Sequence, residues 1–320
     1  MKRFLAAVFA ASTLSGLFVA GGSLTAAASD PVYVGWSDVL PTMTTTFDPG
    51  SENECTAGKI QCVDKVIKEM HKRFAPLGQA CDHNGVFSLA YLRTTETYKW
   101  ASQTPGFFQD APFVNHEDAV FASYYFDAYD NWARGNRTAV PQAWLIALDA
   151  GKNRTVSGAG DVFLGMGAHV NRDLPFVLAG IGLTFPDGTS RKPDHDKVNQ
   201  FLNVVTDPLL AEVAARFDQA ADDAAGPQLL GYTSSFQMLE SWRETAWRNA
   251  ERLDNAPDAA ARAQVAQSIE DYAANVNATL AAAEAFHPPF TSTATRDSWC
   301  AAHKGDPAPL PYKFGAASIW

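Results

Sequence analysis

The chain has 320 residues, of which 47% are apolar, 12% aromatic and 19% charged, a composition that excludes disorder and supplies a sizeable core. Its 25 basic and 35 acidic residues give a net charge of −10, and no basic run occurs. A counterion-releasing grip on nucleic acid is thereby excluded, and no stable nucleic-acid binding is expected.

Lys2 and Arg3 precede an almost wholly apolar stretch over residues 4–20, and Ala26, Ala27 and Ala28 offer small residues at a cleavage point. Residues 1–28 read as a secretory signal peptide, so the protein is expected to be secreted. No later stretch reaches the roughly 20 apolar residues of a membrane helix, and no transmembrane segment is expected. In an oxidising compartment Cys55, Cys62, Cys81 and Cys300 read as two disulfides. Three pairings are open. The preferred one joins Cys55 to Cys62 across a short loop and Cys81 to Cys300, tying the C-terminal tail to the body. The cysteine spacings match no zinc ribbon or finger.

Residues 29–54 form an irregular arm rich in Pro, Thr and Asp. Helical periodicity then predicts helices over 56–74, 82–102, 115–134, 142–150, 160–173, 194–205, 208–224, 233–253 and 258–285. Thr206, Asp207 and Pro208 predict a fresh helix start, and Pro186, Asp187 and Gly188 a turn. Residues 287–320 are a Pro-rich tail. Long alternating strand patterns and internal repeats are absent, so the expectation is all-α: a single multi-helix, bundle-like domain over 55–286 with irregular N- and C-terminal arms. The HExxH, GxGxxG, P-loop and GxSxG motifs are absent as well, which leaves metalloproteases of that class, dinucleotide enzymes, ATPases and α/β-hydrolases without support.

The informative positions are ionisable residues on apolar stripes. Val114, Asp118, Phe121, Tyr125, Ala128 and Trp132 follow one helix face, and Asp118 stands where a hydrophobe belongs. Either it is paired, hydrogen-bonded or metal-bound, or it completes a capping box begun by Asn115. His116 lies on the opposite face. Next, Val162, Met166, His169 and Asp173 share a face, and the last two project side by side, able to offer one ion a nitrogen and an oxygen. The alternatives are a plain His–Asp hydrogen bond or a helix cap at Asp173. Gly165, Gly167 and Ala168 permit close approach of a neighbouring helix. His195 and Asn199 repeat the i,i+4 spacing and offer a second mixed N/O ligand pair, or an exposed His on a first helical turn. His83 sits beside Cys81 in a setting read as structural. Arg243 interrupts the stripe Phe236, Leu239, Ala246, Ala250, Leu253 and needs an acidic partner or an anionic ligand if buried, whereas Trp242 and Trp247 read as core.

The segments Asp118-Ala119-Val120-Phe121-Ala122, Tyr125-Phe126-Asp127-Ala128, Pro141-Gln142-Ala143-Trp144 and Gly167-Ala168-His169-Val170-Asn171-Arg172-Asp173-Leu174-Pro175 resemble a bacterial family known only as a domain of unknown function. The likeness spans about residues 56–253. More distantly, a His-x-x-x-Asp pair on a helix of a secreted all-α protein resembles the zinc-dependent phospholipase C and P1-type nuclease superfamily. That resemblance implies metal-activated water attacking a phosphodiester. Trp36 is internal rather than a mature N-terminus, and His195 is followed by Asn199 where the superfamily has Glu, so one or two ions are expected instead of three.

The resulting expectation is a secreted metal-dependent hydrolase acting on phosphodiesters or phospholipids, with a small-molecule or lipid substrate as its partner. A divalent ion, zinc, would be held by Asp118, His169, Asp173, His195 and Asn199, with His169 and Arg243 as catalytic residues. Two readings stand beside it: a non-catalytic extracellular binding protein with a buried His/Asp/Arg network, and a metal-free acid–base enzyme in which Asp173 orients His169.

Overall fold

The computed structural model describes residues 44–221, 230–289 and 291–305. The expected signal peptide, the first part of the N-terminal arm and the end of the tail lie outside the described residues. Within them the chain is all-α and helices pack on helices: α1 Ile60–Ala80, α2 Asn84–Ser102, α3 Ala111–Ala133, α4 Gln142–Asn153, α5 Gly158–Ala168, α6 Leu174–Ile181, α7 Lys192–Arg216, α8 Leu230–Asp254, α9 Ala259–Ala283 and α10 Thr293–His303. None of the described helices is long and apolar enough to cross a membrane.

The central rod is α5 running into α6 through a π-helical turn, His169–Asp173. Its cause is local. In a regular α-helix the Pro175 ring would meet the carbonyl of Asn171, four residues back. The wider turn relieves this, and the Leu174 N–H bonds to the carbonyl of His169, five residues back. The sequence predicts a helix ending near Asp173; the chain instead continues helical to Ile181. Close packing of this rod requires its glycines. A Cβ on Gly165 would lie 2.1 Å from the Phe87 ring of α2, and one on Gly167 would lie 2.1 Å from Asn277 Oδ1 of α9. Asn277, fully buried, donates to the carbonyls of Ala143 and Leu164 and so joins α4, α5 and α9.

Two other expectations change. The predicted start at Thr206–Pro208 is absent: α7 passes through Pro208 without a break. Phe201, Val205, Leu209 and Val213 keep a buried i,i+4 row across the proline. Burying each such side chain contributes about 1.5–3 kcal/mol, against a cost of about 3 kcal/mol for the proline. The C-terminal tail, expected to be irregular, contains α10, capped by the Ser292 hydroxyl accepting from Thr295 N and joined to the end of α1 by Cys81–Cys300. Cys55–Cys62 is the other disulfide.

The core falls into three apolar clusters. The largest joins α1–α5 and part of α7 around Phe126, Trp144 and Leu164. A second joins the π turn, α6 and α8 around Leu174, Trp242 and Trp247, the two tryptophans expected as core. The third surrounds Tyr98, Val114 and Phe201. Phe121 and Met166 touch the first two clusters, and Leu202 touches the second and third.

Two outcomes follow. Intact-mass measurement after alkylation without reduction should show no label, since all four cysteines are paired. Gly165→Ala should lower unfolding stability by about 1–3 kcal/mol in urea titration, because the Phe87 ring must move.

Candidate functional site

Where the three clusters meet they leave a cavity enclosing about 1080 Å³ of unoccupied space, counting its opening to solvent. Its wall is mostly apolar, including Phe87, Phe121, Val162, Met166, Leu174, Phe201, Leu202 and Leu239 from α2, α3 and α5–α8. Set into it are Tyr91, Thr95, Glu117, Asp118, His169 and Arg243. Four polar atoms here, Tyr91 Oη, Thr95 Oγ1, Asp118 Oδ2 and His169 Nε2, are buried and have no hydrogen-bond partner. Each unsatisfied group costs about 1–3 kcal/mol, so four in one cavity mark a place built to meet something other than the fold.

His169 is the most constrained of them. The π turn brings its Nδ1 to 2.9 Å from Asp173 Oδ2, the same oxygen that accepts from Trp144 Nε1 at 2.8 Å. Arg172 donates to Asp173 Oδ1 at 3.0 Å and to Glu270 at 2.8 Å. The imidazole stacks on Phe121, with centroids 3.5 Å apart and planes within 4°, and Tyr91 meets it edge-on at 4.7 Å. With Nδ1–H donated to Asp173, Nε2 carries the free lone pair. Burial pushes the His169 pKa down against the raising effect of Asp173, which keeps the ring neutral.

Asp118 lies one turn before Phe121 on α3. Burial, helped by the neighbouring Glu117 carboxyl, pushes it up to about 8, and Glu117 itself to about 7. At neutral pH Asp118 is therefore mainly a protonated acid able to donate a hydrogen bond. It is not part of a capping box, because α3 begins four residues before Asn115 and is capped by Asp110. Asn115 instead accepts from Tyr98 Oη and donates to the carbonyl of Gly58.

Arg243, on α8, is buried, and burial lowers its pKa to about 10. Asn199 Oδ1 accepts from its Nε at 2.7 Å and the carbonyl of His195 from its Nη2 at 2.6 Å. His195 and Asn199, expected as metal ligands, stand behind this guanidinium and orient it. Asp173, also expected as a ligand, has its two oxygens engaged by His169, Trp144 and Arg172. Among the described residues no three His, Cys, Asp or Glu side chains gather closely enough to hold an ion. Asp118, His169 and Arg243 line one cavity. His83 and His116 serve the fold, the first contacting Asp297 and the second the carbonyls of Cys55 and Thr45.

Residues 63–283 match the model of one protein family, described as a family of unknown function (DUF5995). The chain belongs to this family. No curated protein and no solved structure matches the chain. The likeness to zinc-dependent phospholipases C and P1-type nucleases rests on the His-x-x-x-Asp spacing alone, and in this DUF5995 member that spacing serves an oriented imidazole.

Sequence reasoning missed Glu117, Tyr91 and Thr95. The signal for the last two was the one that revealed Asp118: Phe87, Tyr91, Thr95 and Tyr98 run down one face of α2, and three of them carry a polar atom.

Because Asp118 binds its proton more tightly folded than unfolded, wild-type stability should fall as pH rises from about 4 to about 8. Asp118→Asn removes that contribution. In urea titrations the variant should gain on the wild type between pH 5 and pH 8; parallel pH dependences would refute the shift.

Proposed function

We propose that this protein is a secreted acid–base enzyme that acts, without a shared metal ion, on a small molecule or lipid with a largely apolar body. The observation that carries the reading is the bare His169 Nε2, unpartnered at the cavity wall while Nδ1–H is held by Asp173. Secretion is supported by the leader-like residues 1–28 and by two disulfides.

In this reading Nε2 accepts a proton from the bound molecule or from a water beside it, and later returns it. Asp173 stabilises the imidazolium formed in between and fixes the tautomer. Asp118, protonated below about 8, donates a hydrogen bond to the oxygen on which negative charge develops, and the Tyr91 hydroxyl is a second donor. The apolar wall excludes water and strengthens these interactions.

The test uses carboxylic esters and lactones of graded chain length as probes, with and without chelator. Turnover should persist in chelator, fall by about 10²–10⁴-fold in His169→Ala, and decline on the alkaline side near pH 8 as Asp118 ionises. Activity abolished by chelator and restored by zinc would return the site to metal chemistry. Apolar ligands bound without turnover would favour the binding-protein reading, which the breadth of the apolar wall supports.

A further inference from the structure

Among the described residues, buried arginines are, with one exception, neutralised. Among the described residues Arg73 meets Glu69 and Asp130, Arg191 meets Asp110, and Arg296 meets Asp161. Arg243 is as buried as these, yet among the described residues no carboxylate pairs with it. Its neighbours are neutral acceptors: Asn199 Oδ1, the carbonyl of His195, and His195 Nδ1 at 3.3 Å. His195 Nε2 in turn faces the carbonyl of Arg243 at 3.2 Å, so that nitrogen carries the proton and Nδ1 accepts. Nε and Nη2 are thereby fixed, while Nη1 makes no hydrogen bond among the described residues. The group faces the cavity, and a buried charge without a counter-charge is costly enough to demand a partner.

We propose that the missing partner is the ligand: the cavity takes a monocarboxylate with an apolar alkyl or aryl body, its carboxylate resting on Arg243. Guanidinium is the side chain best matched in shape to a carboxylate, and the mostly apolar wall suits the rest of such a molecule. A single negative charge is the match, because one cation is present and Glu117 and Asp118 share the cavity, so a phosphate dianion would face two acids with one counter-ion. Glu117 does not take the place of the ligand. It acts on Arg243 only at a distance, and its own pKa is raised, so the attraction does not repay the burial of its charge. The proposal rests on reading this cavity as the ligand site and is independent of proton transfer at His169.

Titration calorimetry of the intact protein with dodecanoate, dodecanol, methyl dodecanoate and naphthaleneacetate tests it. Dodecanoate should bind roughly tenfold or more tighter than the alcohol and the ester, a comparison that needs no variant. Naphthaleneacetate against dodecanoate reports whether an aryl or an alkyl acid is the better occupant. Arg243→Gln should abolish the acid's advantage while leaving dodecanol binding within about threefold. Equal affinity for acid and alcohol, or no binding of either acid, overturns the proposal. Acid-selective binding without turnover in the ester assay would defeat the catalytic reading and leave this one standing; turnover without acid selectivity would do the reverse.

Discussion

The Asp173 carboxylate, sealed from water, accepts from His169, Trp144 and Arg172, which come from three directions. Removing water from a carboxylate costs several kcal/mol, and only a full set of donors offsets it. That requirement ties the centre of the molecule together. Trp144 belongs to α4, His169 and Arg172 to the π turn, and Arg172 reaches on to Glu270 of α9. The π turn exists because Pro175 does not fit a regular helix there, so one steric conflict in the backbone and one buried charge determine where the imidazole points.

The cavity follows from the same geometry. The π turn belongs to one apolar cluster and α5 to another, and the rod linking them is held close to α2 at Gly165 and to α9 at Gly167. Around the cavity, large aromatic and aliphatic side chains meet without closing the space. The gap coincides with four unpaired polar atoms and with an arginine that no carboxylate among the described residues pairs with. Packing and electrostatics are unsatisfied in the same place, which is the pattern of a binding site.

Much of this was legible in the residues. Helical periodicity predicts most of the helices, and Asp118, His169 and Arg243 stand out in the sequence as charged or polar groups on apolar stripes. What periodicity could not reveal was whether a polar residue at a core position meets a partner or an empty space. Asp173 and His195 resemble ligands by spacing, yet each is consumed by a donor from a distant helix, and such long-range pairings leave no trace in i,i+4 patterns. Pro208 misled for a related reason: the local penalty is real, but the buried row on either side of it outweighs it. The tail helix was hidden because its neighbours are prolines, while its own capping Ser292 is a short-range signal.

The Cys81–Cys300 bond spans 219 positions, and it links the end of α1 to α10. Nearly the whole domain is therefore a covalent ring. A single protease cut in any connection between α2 and α10 would leave the two fragments attached, with the cavity walls still tethered around the gap. Wherever peptide bonds are broken and not replaced, such a ring lets a nicked molecule keep its shape.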